Sequence, residues 1–147
     1  MIKIMKKSCF LIVIGCFFAV FSSAKVHYLT TTEFIEKVMD YTKYTPETGW
    51  TYNGNRPCVI DFYTTWCGPC KRLAPIMDAL SEQYEGKVDF YKVDTEKEQE
   101  LAYFFQIRSI PQVLYVPVKG DPTLRMGLYP QEQIVEIINS FLLTDKK

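Results

Sequence analysis

The run Cys58-Val59-Ile60-Asp61-Phe62-Tyr63 is followed, after only Thr64-Thr65-Trp66, by Cys67-Gly68-Pro69-Cys70. The first segment is short, apolar and β-branched, as expected of a strand covered on both faces. The second opens a helix. Pro69 suits a first helical turn, where its missing N–H would have no intrahelical partner, and Leu73, Ile76, Met77, Leu80 and Tyr84 continue at helical spacing. Pro75 is expected to kink that helix, because it removes a donor and crowds the preceding turn. A buried strand feeding a helix constrains the chain to layers of helix on sheet.

The flanking segments extend this pattern. Val26-His27-Tyr28-Leu29 reads as a short strand, and Thr30-Thr31-Thr32-Glu33 has capping-box spacing before an apolar face of Phe34, Ile35, Val38 and Met39. From Thr42 to Pro57 the sequence is polar and turn-rich, a loop. Val88 to Val93 predicts a strand and Glu96 to Phe105 a helix. Gln112 to Pro117 and Thr123 to Leu128 predict two strands joined by the turn-forming Lys119-Gly120-Asp121-Pro122. Pro130 to Leu143 closes with Ile134, Ile137, Ile138 and Phe141 on one face. The order β-α-β-α-β-α-β-β-α, with its missing fourth strand-helix step, is not a simple repeat: read strictly, elements run β-α, β-α, β-α and then β-β-α. That gives an α/β domain with a mixed sheet of about five strands flanked by about four helices, parallel at its centre and ending in a hairpin.

With 147 residues, 48% of them apolar and 15% aromatic, one domain with one core is the expectation. The N-terminus reads as a targeting segment: Lys3, Lys6 and Lys7, the apolar run Cys9 to Phe21, then Ser22-Ser23-Ala24. Cleavage after Ala24 is predicted, leaving residues 25–147 as the domain. The 13 residues of the run fall short of the ~20 that span a bilayer. A lipoprotein signal ending before Cys16 is the alternative, since Val13-Ile14-Gly15-Cys16 fits one, although the apolar residues that follow do not. Both readings export the domain to a periplasmic address, the second as a lipid-anchored protein through Cys16. Residues beyond Ala24 hold 14 bases against 17 acids, a net of −3 that argues against nucleic acid as a partner.

Three cysteines remain beyond Ala24: Cys58, Cys67 and Cys70. An odd number outside the cytoplasm fits poorly with a purely structural disulfide framework, and a Cys67-Cys70 bridge closes too short a loop to stabilise much. A reversible dithiol/disulfide explains the pair better, with no cofactor. Zinc is the rival. It needs four ligands, and beyond the pair only Cys58 and His27 are on offer, at neither of the usual spacings, so no metal is expected. A thiol at a helix N-terminus is stabilised as thiolate by unpaired N–H groups and the helix dipole, which makes Cys67 the attacking sulfur. Cys70, one turn inward, is expected to be more buried and to resolve the mixed disulfide. Gly68 is expected to let the chain turn tightly. Cys58 reads by default as a small buried hydrophobe, with a second redox-sensitive thiol as the alternative, which would require exposure and an electropositive setting.

Val59-Ile60-Asp61-Phe62, Trp66-Cys67-Gly68-Pro69-Cys70-Lys71, Ala74-Pro75, Lys92-Val93-Asp94 and Ser109-Ile110-Pro111 together resemble thioredoxin, from about Val26 to Leu143. The resemblance implies the thioredoxin fold and a thiol-disulfide oxidoreductase acting on protein disulfide substrates. It implies that Asp61 is a buried carboxylate that takes a proton from Cys70, and that Lys92 lies near and tunes it. It also implies a cis-proline at Pro111 facing the dithiol, an Ile110 backbone that pairs with an extended substrate strand, and Trp66 covering one side. Trp66, Gly68, Pro69, Ile110 and Pro111 thus become the substrate-binding candidates, and Cys67, Cys70, Asp61 and Lys92 the catalytic ones. Taken singly, each has a structural rival: Asp61 as a buried acid paired with Lys92, Lys92 as a solvated strand-end lysine, Pro111 as a loop proline, Trp66 as plain packing.

Three positions depart from the family pattern near the substrate face: Gln112 where threonine is usual, Tyr63 where bacterial members commonly have tryptophan, and Thr64-Thr65 in place of Ala-Glu. The 42–57 loop resembles that of extended, exported members from Bacteroidetes-like bacteria, and its Tyr44, Trp50 and Tyr52 either pack on the body or form a partner surface. The Gly-Pro pair between the cysteines, lacking a histidine before Cys70, points to a reductant re-reduced by a membrane-borne or soluble thiol donor. An envelope oxidase or isomerase and a non-catalytic holdase or assembly module remain the alternatives.

Overall fold

The computed structural model describes residues 26–144. The targeting segment 1–24, its alternative ending before Cys16, and the start of the domain at residue 25 lie outside the described residues.

Among the described residues the strands and α-helices arranged around the sheet are β1 (His27–Tyr28), α1 (Thr31–Lys37), β2 (Cys58–Tyr63), α2 (Gly68–Gln83), β3 (Asp89–Asp94), α3 (Gln99–Phe104), β4 (Gln112–Val116), β5 (Thr123–Met126) and α4 (Gln131–Ile137). The strand order is β1-β3-β2-β4-β5, with β3 parallel to β1 and β2, and β4 antiparallel to β2 and β5. This is the mixed sheet anticipated from the element order, with the most apolar strand, β2, at its centre.

Side-chain alternation along the strands divides the core between two faces. Cys58, Ile60 and Phe62 of β2 join Val93, Leu114 and Val116 under α1 and α3. Val59 joins Phe90, Val113 and Tyr115 under α2 and α4, whose Leu73, Met77, Leu80 and Ile134, with Ile138 just after α4, complete that layer. Asp61 and Tyr63 have the same parity as Val59, so they lie on the α2 side. That parity brings the one acid of the central strand onto the face covered by the cysteine-bearing helix.

The capping box at α1 is formed as the spacing predicts: the Glu33 N–H donates to Thr30 Oγ1 at 3.3 Å and the Thr30 N–H donates to Glu33 Oε2 at 3.1 Å. Several predicted elements are shorter than expected. The third helix begins at Gln99 instead of Glu96 because Asp94 turns the chain first: its carboxylate accepts the Glu96 N–H at 3.0 Å and its carbonyl accepts the N–H groups of Lys97 and Glu98. The last predicted helix is α-helical only to Ile137, and Ile138–Leu142 forms a π-helical turn in which the Leu143 N–H reaches back to the Ile138 carbonyl at 3.0 Å. α2, in contrast, runs unbroken through Pro75.

The 42–57 loop is packed on the body. Trp50 and Tyr52 pack against the α1/α3-side core, and Trp50 lies 6.3 Å from Phe105 between ring centroids. Tyr44 meets Phe104 edge to face at 5.7 Å. Gly54 is needed here, since a Cβ at that position would run into the Tyr52 ring.

Candidate active site

β2 delivers the chain to the mouth of α2, and Cys67 is the N-cap of that helix. Its Sγ accepts the Cys70 N–H at 3.2 Å, so a backbone donor left free by the helix start points at the sulfur. Cys67 and Cys70 are joined by a disulfide, with Cα atoms 5.3 Å apart. The expected difference in burial is not found: Cys67 is 4% exposed and Cys70 3%. Position relative to the helix end, not burial, is what distinguishes the two sulfurs in this oxidised form.

Gly68 and Pro69 are both exposed at the start of α2. Gly68 does not have a positive φ, and a Cβ there would meet nothing within 4 Å. The expectation that Gly68 serves a tight turn is therefore corrected. Its small size leaves open space beside the disulfide.

Asp61 is fully buried, and neither carboxylate oxygen has a hydrogen-bond partner among the described residues. Burial pushes its carboxyl up to about 7, against the opposing pull of the Lys92 charge. Lys92 is its partner in the β2/β3 register and is itself buried, 8% exposed. No ion pair within 4.0 Å joins them among the described residues, so the reading of a buried structural salt bridge does not hold. The Lys92 ammonium instead lies 5.2 Å from the centre of the Tyr63 ring.

The Ile110-Pro111 peptide is cis, Pro111 is buried and Ile110 is half-buried. Gln112 Nε2 donates to Ser109 Oγ at 3.4 Å, closing the loop before β4. Trp66 is 67% exposed, which rules out plain core packing, and its indole N–H donates to Glu96 Oε1 at 2.9 Å. Cys58 is a free, buried thiol on the opposite face of β2, with burial pushing it up to about 12. No group of three or more His, Cys, Asp and Glu side chains suited to a metal ion occurs among the described residues.

Comparison with known proteins decides the family. The family model for thioredoxin matches residues 25–140. The chain belongs to the thioredoxin family. It is 43% identical over 113 residues to a thioredoxin of Borreliella burgdorferi, an alignment covering 77% of this chain and 94% of that protein. It is 38% identical over 85 residues to a thioredoxin of Staphylococcus haemolyticus, covering 57% and 81%. With the chloroplastic M-type thioredoxin of Spinacia oleracea it shares 36% identity over 86 residues, 58% of this chain and 48% of the spinach protein. The crystal structure of chloroplastic thioredoxin z shares the fold, with a TM-score of 0.62 at 23% identity over 79% of this chain and 93% of that one. As a thioredoxin the protein is a thiol-disulfide oxidoreductase that acts on protein disulfides, and its family works through its own dithiol without a cofactor.

Two contributors to this thioredoxin site were not singled out from the sequence. Glu96, which holds the Trp66 indole, sits in a turn that its charge alone would leave as ordinary surface. Tyr63 stands out in the sequence as a departure from the family pattern, and its spacing of two from Asp61 puts it on the same strand face.

Proposed function

We propose that this thioredoxin is an exported protein-disulfide reductase. The observation that carries the chemistry is the Cys67-Cys70 disulfide at the N-terminus of α2, on the sheet face that also holds the unpartnered Asp61. In the reduced protein, the free N–H groups and the dipole of α2 favour negative charge on Cys67 Sγ. The Cys67 thiolate attacks one sulfur of a substrate disulfide, forming a mixed disulfide and expelling the first substrate thiolate. Cys70 then loses its proton to Asp61 and attacks Cys67 Sγ. The Cys67-Cys70 bond forms, the second substrate thiolate leaves, and the substrate is reduced by two electrons. A carboxyl pushed up to about 7 is matched to accepting a proton near neutral pH. A thiol donor, membrane-borne or soluble, returns the two electrons.

The reducing direction is supported by the Gly68-Pro69 pair: with no histidine between the cysteines to stabilise the thiolate, the disulfide is comparatively favoured and the dithiol gives up its electrons. Export rests on the basic and apolar pattern of residues 1–24, with the Cys16 lipid anchor as its variant. Trp66, Gly68, Pro69, Ile110 and Pro111 are assigned to substrate binding on the resemblance of their motifs to those of the family.

Insulin reduction by dithiothreitol, with and without the protein, tests the activity. Acceleration that Cys67→Ser abolishes is expected; acceleration that survives this change overturns the reading. Equilibration with glutathione tests the direction, and a strongly oxidising potential would favour the oxidase. Fractionation of cells producing the full chain tests the address, with a cytoplasmic, uncleaved protein as the contrary result.

A further inference from the structure

Lys92 is 8% exposed, and its ammonium makes no hydrogen bond and no ion pair within 4.0 Å among the described residues. Its close neighbour is the face of the Tyr63 ring, 5.2 Å from Nζ to centroid, within cation–π range. Tyr63 is itself held: its ring meets Tyr28 edge to face at 6.2 Å, and Tyr28 is the register partner of Lys92 on the other side of β3. β1, β2 and β3 thus fix the ring that the ammonium faces.

We propose that Tyr63 is a positioning residue for the proton-transfer step: its ring holds the Lys92 ammonium at a set place beside Asp61, neither released to water nor collapsed into an ion pair. The proposal rests on the reading of Asp61 as proton acceptor for Cys70. An ammonium drawn onto Asp61 would keep the carboxylate ionised and weaken it as a base. An ammonium lost to solvent would leave the buried carboxyl protonated at neutral pH and unable to accept a proton. The ring selects the intermediate condition. The other titratable groups acting on Tyr63 or Asp61 here are Asp94 on β3, Tyr28 on β1 and Tyr115 on β4, while Ile134 of α4 and Ile138 just after it belong to the same layer.

The test is a titration of the Asp61 carboxyl by carbon-13 NMR in the oxidised protein. Tyr63→Leu is expected to move the Asp61 midpoint upward by about 0.5–1 pH unit as the ammonium withdraws. Tyr63→Phe, which keeps the ring, should leave it in place, and Tyr63→Leu added to Lys92→Met should cause no further shift. An unmoved or lowered midpoint in Tyr63→Leu, or the same shift persisting without Lys92, overturns the proposal. The unmodified protein supplies a measurement that does not depend on any variant folding: ring-current shielding should move the Lys92 Hε resonances upfield, and unshifted resonances would also overturn it. None of these readouts uses turnover, so their failure is distinct from a failure of insulin reduction.

Discussion

Asp61 and Lys92 are Cα partners across β2 and β3, yet no ion pair joins them. The carboxyl is fully buried and unpartnered among the described residues, and desolvation outweighs the lysine's pull, raising it from 3.8 to about 7. A raised acid binds its proton in the folded chain where the unfolded chain has already released it. Between about pH 4 and 7 the folded state therefore holds the extra proton, and stability falls as pH rises through that window.

Asp61→Asn removes this burden while keeping the shape. The variant is expected to be more stable than the parent at pH 8, by roughly 2–4 kcal/mol, and to lose the decline between about pH 4 and 7. Urea unfolding at pH 5 and pH 8 measures both. The same change should slow resolution of a mixed disulfide by Cys70, on the order of a hundredfold, in single-turnover experiments. A variant that is more stable but resolves at the parental rate would assign Asp61 no part in the proton transfer.

Cys58 is the opposite case, a thiol with no route to reaction. It is fully buried on the α1/α3 side of β2, away from the disulfide face, and is raised to about 12 by burial. After reduction, iodoacetamide at pH 8 is expected to modify the native protein at the active-site pair and leave Cys58 untouched until denaturant is added. Peptide mapping reads this directly, and native-state labelling of Cys58 would contradict it. Cys58→Ala should cost about 1–2 kcal/mol of stability through the lost packing, with insulin reduction unchanged.

The central architecture was legible because it is written in short-range patterns. The apolar run of β2, the helical spacing of Leu73, Met77 and Leu80, and the Thr30–Glu33 cap are each decided within a few residues, and all three occur where expected. The boundaries that moved depend on competing hydrogen bonds that such patterns do not reveal. The Asp94 side chain takes the first N–H of the segment expected to begin α3, and the backbone near Ile138 changes to longer-range bonding although its apolar face continues. In the site, the resemblance of the motifs to the family's implies Asp61 beneath the Cys67-Cys70 pair with Lys92 near it, and the β2/β3 register makes Asp61 and Lys92 partners. What lay beyond reach was which partner each would choose: Lys92 faces a ring instead of the neighbouring acid, and Trp66 is tethered from a different segment.

That tether yields a prediction about substrate binding. Trp66 stands 67% exposed beside the disulfide, and a large indole so placed is free to rotate unless something fixes it. The Glu96 carboxylate does so, accepting the indole N–H at 2.9 Å from the turn after β3. Because both groups are exposed, breaking the bond should cost the fold little, within about 0.5 kcal/mol. Its effect belongs to recognition, where a pre-oriented aromatic surface spares the substrate complex the entropy of ordering it. Trp66→Ala is expected to raise KM for insulin reduction by roughly tenfold and Glu96→Ala by roughly two- to threefold, with kcat little changed in the second. Glu96→Gln, which keeps an acceptor oxygen, should restore most of the loss. Combining Glu96→Ala with Trp66→Ala should add nothing to Trp66→Ala alone, since the carboxylate acts only through the indole. An additive effect would mean that Glu96 contacts the substrate itself.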